Sequence, residues 1–122
     1  MMMKHRADLQ HSRRMVLKVG SSLLADPKDG IHTAMIQRLA SDIHALQQQG
    51  IQVCLVSSGA VALGRVQLGW LDKHLNVHEK QAAAAIGQPM LMHAYQQAFS
   101  EQGLVVAQML LTKDDLRHRR RY

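Results

Sequence analysis

Two short apolar runs, 15–18 and 51–56, flank a segment whose apolar residues recur at helical spacing. That arrangement limits the folds open to the chain. Neither run alternates cleanly between apolar and polar residues, as expected of strands covered on both faces of a sheet. Between them, Thr33 can cap a helix running to about Gln49, with Ile36, Leu39, Ala40, Ile43 and Leu46 on one face and Gly50 as terminator. Strand, helix and strand in that order make a parallel pair joined by a right-handed crossover.

The alternation continues along the chain. A helix starts at Ala60 and runs towards Leu68, and a loop covers 69–76. Asn76 with Glu79 three residues later forms a capping-box pattern for the next helix, roughly 77–100. Its stretch QAAAAIGQ (81–88) is apolar on most sides, which predicts a largely buried helix, kinked at Pro89, with Met90 and Met92 as core filler. Gly103 ends that unit, 104–111 reads as a third apolar strand, and Thr112 with Asp115 opens a fourth helix. The segment DPKDG (26–30) is turn chemistry that can close a small hairpin. The expected fold class is α/β, with a mainly parallel sheet. Three strands make a thin sheet, and the sequence stops about two to three turns into its last helix, so it reads as part of a longer α/β protein.

The chain has 122 residues and a net charge of +6, but much of the positive charge lies at the ends: Lys4, Arg6, Arg13 and Arg14, then Arg117, Arg119, Arg120 and Arg121. Residues 1–14 are expected to be a disordered basic tail. The second cluster has no interleaved aromatics, so it reads as a solvated helix face rather than a nucleic-acid surface. Cys54 is the only cysteine, which excludes an intramolecular disulfide. It stands in an apolar run as a small buried hydrophobe, and this usage fits a reducing, cytoplasmic setting. No apolar run reaches membrane-spanning length. His74 and His78 have a metal-compatible spacing, but no third ligand follows, so they read as a solvated pair.

In an open α/β sheet, ligands bind beyond the carboxyl ends of the strands. Two such ends are rich in glycine and serine: Lys18-Val-Gly20-Ser21-Ser after the first run, and Ser57-Ser58-Gly59-Ala after the second. Glycine lets backbone approach a ligand, and free N–H groups at a helix start favour an anion. A lysine between the turns adds a full positive charge, so together they describe a phosphate site. Neither is a Walker loop or a Gly-x-Gly-x-x-Gly fingerprint. Lys18 alone reads equally well as a strand-end lysine reaching solvent, and Ser58-Gly59 alone as an ordinary strand-to-helix turn.

Four segments, VLKVGSSLL (16–24), VSSGAVALGR (56–65), KQAAAAIGQ (80–88) and VAQMLLTKDD (106–115), resemble the N-terminal half of the glutamate 5-kinases, in the amino acid kinase superfamily. The resemblance spans 15–122 and implies a three-layer αβα sandwich with a mainly parallel sheet, incomplete in this chain. Residues 15–122 would then be the glutamate-binding half of one amino acid kinase domain. It further implies transfer of the γ-phosphoryl group of ATP, with Mg2+, to the side-chain carboxylate of L-glutamate, the first step of proline biosynthesis. Lys18 would hold the transferring phosphoryl group, Gly20 and Ser21 would shape the backbone around it, and Ser58 with Gly59 would bind glutamate. Proline as feedback inhibitor and homo-oligomeric assembly of the complete enzyme are implied as well, and so is an inactive isolated segment, because the family's adenine site, a second lysine and an Asp/Asn loop lie beyond Tyr122. Three rivals stand beside this reading: a non-catalytic metabolite-binding module, an acetylglutamate kinase, and a basic nucleic-acid binder.

Overall fold

The computed structural model describes residues 5–117. Lys4, Arg119, Arg120 and Arg121 of the basic clusters, and any continuation of the last helix past Arg117, lie outside the described residues. A 3-10 helix at Arg6–His11 precedes strand β1 (Arg14–Val19). Thus the stretch expected to be a disordered tail carries local structure and reaches into the sheet. There follow α1 (Ser21–Leu24), a hairpin of β2 (Ala25–Asp26) and β3 (Gly30–Ile31), α2 (Thr33–Gln48), β4 (Gln52–Ser57), α3 (Ala60–Leu68), α4 (Val77–Glu101) and α5 (Lys113–Arg117).

The strand–helix–strand unit forms as its spacing predicts. β1 and β4 pair in parallel, from Arg14 opposite Gln52 to Val19 opposite Ser57. Helix α2 crosses between them and buries Ile36, Ala40 and Ile43. Its N-cap is His32 rather than Thr33, and Gly50, at φ +80°, turns the chain out of the helix. Leu46 keeps its carbonyl bonded to the amide of Ile51, which aims the chain straight into β4. In the hairpin, Asp26 Oδ1 accepts from the amides of Lys28 and Asp29, both at 2.7 Å, and so holds the turn that the DPKDG segment predicts.

The sheet is covered on one face only among the described residues. Met15, Leu17, Val19, Val53, Leu55 and Ser57 are buried or half-buried, while the alternating Val16, Lys18, Cys54 and Val56 are exposed. Two expectations are corrected by this alternation. The sheet here is not covered on both faces, and Cys54 is an exposed thiol rather than a buried hydrophobe, because its position along β4 sends it to the bare side. Mixed α/β structure with a small parallel sheet is therefore present, and the described helices do not build a second covering layer.

The third strand does not form. Residues 104–111 have no strand pairing, although Leu104 and Val106 pack against the core and Val105 is 98% exposed. A cavity of about 620 Å³ separates this segment from β4 and α4, lined by Val53, Leu55, Tyr95, Phe99, Leu104 and Val106 among others. Alternate side chains reach the core, as in a strand, but the backbone stands off the edge it would have to pair with.

Helix α4 is the spine of the fold. It begins with a complete capping box, in which Asn76 Oδ1 accepts from the Glu79 amide at 2.9 Å and Glu79 Oε1 accepts from the Asn76 amide at 3.3 Å. It continues unbroken through Pro89, whose side is exposed. Its buried stripe is Ala83, Gly87, Leu91, Tyr95, Ala98 and Phe99, while Gln81, Ala82, Ala85, Ile86 and Met90 are exposed. The helix is thus one-sided rather than largely buried, and Met90 is surface rather than core. The loop before it is clamped by Arg65, whose guanidinium donates to the carbonyls of Leu71 and Lys73 at 2.9 and 2.7 Å. Lys73 pairs with Glu79 and lies 4.7 Å from the centre of the Trp70 ring.

Helices α3 and α4 touch backbone to backbone. A methyl group on Gly64 would overlap the Ala83 carbonyl, and one on Gly87 would overlap the Ala60 carbonyl. No flexible side chain can yield there, so Gly64→Ala or Gly87→Ala must force the helices apart. Each is expected to cost about 3 kcal/mol or more, read as a fall in the denaturant midpoint. A second expectation concerns acid. Backbone N–H donors hold the Asp26 carboxyl below its ordinary value of 3.8, and the Lys73 ammonium holds Glu79 below its ordinary 4.5. A carboxylate whose folded pKa is depressed stabilises the fold above its unfolded pKa and loses that stabilisation as pH falls through the folded value. The urea midpoint should therefore fall as pH drops below about 4.5, and Asp26→Asn should make that fall shallower.

Candidate functional site

Parallel pairing brings both glycine–serine turns to one edge of the sheet. Lys18 lies opposite Val56 and Val19 opposite Ser57. The ladder then extends one step further, as the Ser58 amide donates to the Val19 carbonyl at 3.0 Å. A strand separation of about 4.8 Å and a rise of about 3.3 Å per residue put the Lys18 and Ser58 Cα atoms roughly 8 Å apart. The Lys18 side chain emerges on the bare face of the sheet, near this edge, and is exposed. Among the described residues it makes no ion pair or hydrogen bond. The hydroxyls of Ser21 and Ser58 are likewise free of partners there, and both residues are exposed.

Each turn feeds directly into a helix, and each helix is capped by glycine. Gly20 is the N-cap of α1 and Gly59 the N-cap of α3, and neither helix start has a side-chain cap. Ordinarily Ser, Thr, Asp or Asn accepts a hydrogen bond from the first free amides, as Asn76 does for α4 and as the Thr112 hydroxyl does for the Asp115 amide. Glycine offers no oxygen. In α3 the first helical bond is Leu63 N–H to Gly59 carbonyl at 3.0 Å. The amides of Ala60, Val61 and Ala62 precede it and have no acceptor inside the helix. They lie at the end of the sheet where β4 finishes, and the helix dipole adds to their preference for negative charge.

Gly59 is required by its backbone conformation. Its φ of +120° lies where L residues are rarely found, and it is buried, with an added methyl lying 3.8 Å from Leu24. Leu24, the last residue of α1, is fully buried beside this position. Gly20 has no such constraint: its φ is −77° and no atom crowds it. Its value at the turn is openness rather than conformation.

Sequence reasoning missed what supports the second turn from below. The Tyr95 hydroxyl and Ser57 Oγ lie 2.7 Å apart, and Ser57 Oγ donates to the Ser58 carbonyl at 2.9 Å. Tyr95 is only 4% exposed and its ring packs on Phe99, with centroids 6.3 Å apart. Burial pushes its phenol above the ordinary tyrosine value, while the Ser57 hydroxyl pulls the other way. One signal was available: a tyrosine in helical register with Gly87 and Leu91 on a core stripe must find a partner for its hydroxyl. The short helix α1 was also missed, since four residues are too few for periodicity to register. His74 and His78 are both exposed, and among the described residues no group of three or more His, Cys, Asp or Glu converges.

Taken together, the edge gathers an exposed lysine, two helix starts without side-chain caps and exposed serine hydroxyls, donors whose chemistry suits an anion. Comparison with known proteins gives that chemistry a context. The chain is 54% identical over 114 residues to the glutamate 5-kinase of Trichlorobacter lovleyi, covering 93% of this chain and 30% of that protein. It is 50% identical over 116 residues to the glutamate 5-kinase of Geobacter metallireducens, covering 95% and 31%, and 52% identical over 109 residues to that of Bordetella petrii, covering 89% and 29%. The chain thus spans about 30% of the length of these curated relatives. With residues 13–122 also matching the family model as a single stretch, the chain belongs to the amino acid kinase family.

Proposed function

We propose that this chain supplies the phosphoryl-binding and glutamate-binding turns of an ATP-dependent glutamate 5-kinase, which makes L-glutamyl 5-phosphate in the first step of proline biosynthesis. The observation that carries the reading is the side-by-side pair of glycine-capped helix starts with an unpaired lysine on the same edge. The relatives' shared name directs the choice of acceptor.

The reaction asks little covalent chemistry of the protein. A side-chain carboxylate oxygen of glutamate attacks the γ-phosphorus of ATP, the bond to the β–γ bridging oxygen breaks, and ADP leaves with that electron pair. No proton is transferred. Catalysis is positioning and charge stabilisation. Lys18 neutralises charge on the γ-phosphoryl oxygens, and the open backbone at Gly20 and Ser21 lets amides approach them. The Ser58 hydroxyl donates to substrate, and the α3 amides behind Gly59 lower the cost of bringing two anions together. Among the described residues no cluster of carboxylates or imidazoles gathers to hold Mg2+, so the ion would come with the nucleotide and would supply further charge neutralisation there. Proline as inhibitor, homo-oligomeric assembly, a cytoplasmic location and a three-layer sandwich for the whole enzyme belong to the same reading.

The test joins this chain in frame to the remaining part of the Trichlorobacter lovleyi enzyme and traps the acyl phosphate with hydroxylamine. The hybrid should consume ATP and L-glutamate, and the 122-residue chain alone should not. Comparable turnover by the chain alone, or a folded hybrid that ignores glutamate and phosphorylates N-acetylglutamate, would overturn the assignment. Lys18→Met should lower kcat about 100-fold or more with the thermal midpoint unmoved, because Lys18 is exposed and unpaired. Ser58→Ala should raise the KM for glutamate roughly tenfold and leave that for ATP alone.

A further inference from the structure

We propose that Tyr95 is a positioning residue for the substrate turn, acting through a hydroxyl relay from Tyr95 to Ser57 to the Ser58 carbonyl. The direction follows from counting hydrogens. Ser57 Oγ has one, and it is directed at the Ser58 carbonyl at 2.9 Å. The 2.7 Å contact between Ser57 Oγ and the Tyr95 hydroxyl must then be donated by tyrosine. Tyrosine is held in the form able to donate, since burial disfavours the phenolate. Each donor polarises the next, so the two bonds reinforce one another.

The relay matters because of where it ends. Ser58 is the hinge between β4 and α3, with its amide tied to Val19 at 3.0 Å and its carbonyl tied to Ser57. With both backbone groups of Ser58 held, its exposed hydroxyl is presented from a fixed peptide. Tyr95 comes from α4, the helix that also contacts α3 backbone to backbone at Gly64 and Gly87. The register of α4 is therefore transmitted to the turn twice, once by packing and once by hydrogen bonds. A phenylalanine would fill the same core space and transmit only the first.

The inference rests on the glutamate-binding role of Ser58 for its functional half, and on the structure alone for its positioning half, so the test has two arms. In the 122-residue chain, amide hydrogen exchange is followed at Ser58 and at Ala40 and Ile43 in α2. Tyr95→Phe should speed exchange at Ser58 about fivefold and leave the α2 amides unchanged. Ser57→Ala should do the same, the double variant should add nothing further, and Ser57→Thr, which keeps the hydroxyl, should restore the original rate. An unchanged Ser58 rate in Tyr95→Phe, or equal acceleration at all three amides, overturns the relay. In the hybrid enzyme, Tyr95→Phe should raise the KM for glutamate about fivefold with the KM for ATP and the thermal midpoint unchanged. Accelerated exchange without that KM change overturns the link to substrate. A hybrid that prefers another carboxylate counts against the proposed function, and the exchange arm still decides the relay.

Discussion

The candidate site depends on one interaction, the parallel in-register pairing of β1 with β4. A one-residue slip would exchange the covered and bare faces of β4, sending Lys18's neighbours into the core and Leu55 into solvent. Because the two strands run the same way, both end at the same edge. The chain must turn there twice, and each turn falls at the start of a helix. Converging amides and a nearby ammonium follow from this topology, and the sequence has only to avoid blocking them. Glycine at both N-caps does that.

What keeps the edge rigid is the packing beneath it. Gly64 and Gly87 let α3 and α4 approach until backbone meets backbone, and that contact fixes α3 relative to α4. The start of α3 is therefore fixed too, and with it the direction of its free amides. Leu24, from α1, fills the space beside Gly59.

Much of this was legible in the sequence, for identifiable reasons. The boundaries of α3 followed from Ser58-Gly59 and Gly69, and the start of α4 from the Asn76 and Glu79 pair, because caps act over three or four residues and leave a local signature. The convergence of the Lys18 and Ser58 turns followed from strand order alone. Long-range facts were less accessible. Cys54 was read as buried because an apolar neighbourhood says nothing about which face of a strand is covered. Residues 104–111 read as a strand because they form an apolar run after Gly103, yet pairing is a property of two backbones and only one is written there. Tyr95 was overlooked as a support because its partner is 38 residues away.

The one-sided sheet has a further physical meaning. Among the described residues β1 and β4 form a two-stranded ribbon, so each has an outer edge whose amides and carbonyls have no strand beside them. Apolar Val16 and Val56, 69% and 49% exposed, line the adjoining bare face. A closed or charged edge halts ladder growth, and this ribbon has neither device along β4, whose sequence from Val53 to Val56 carries no charge. A further strand paired along β4 would gain hydrogen bonds and apolar cover together. The same openness would let further strands of an α/β sheet add in order.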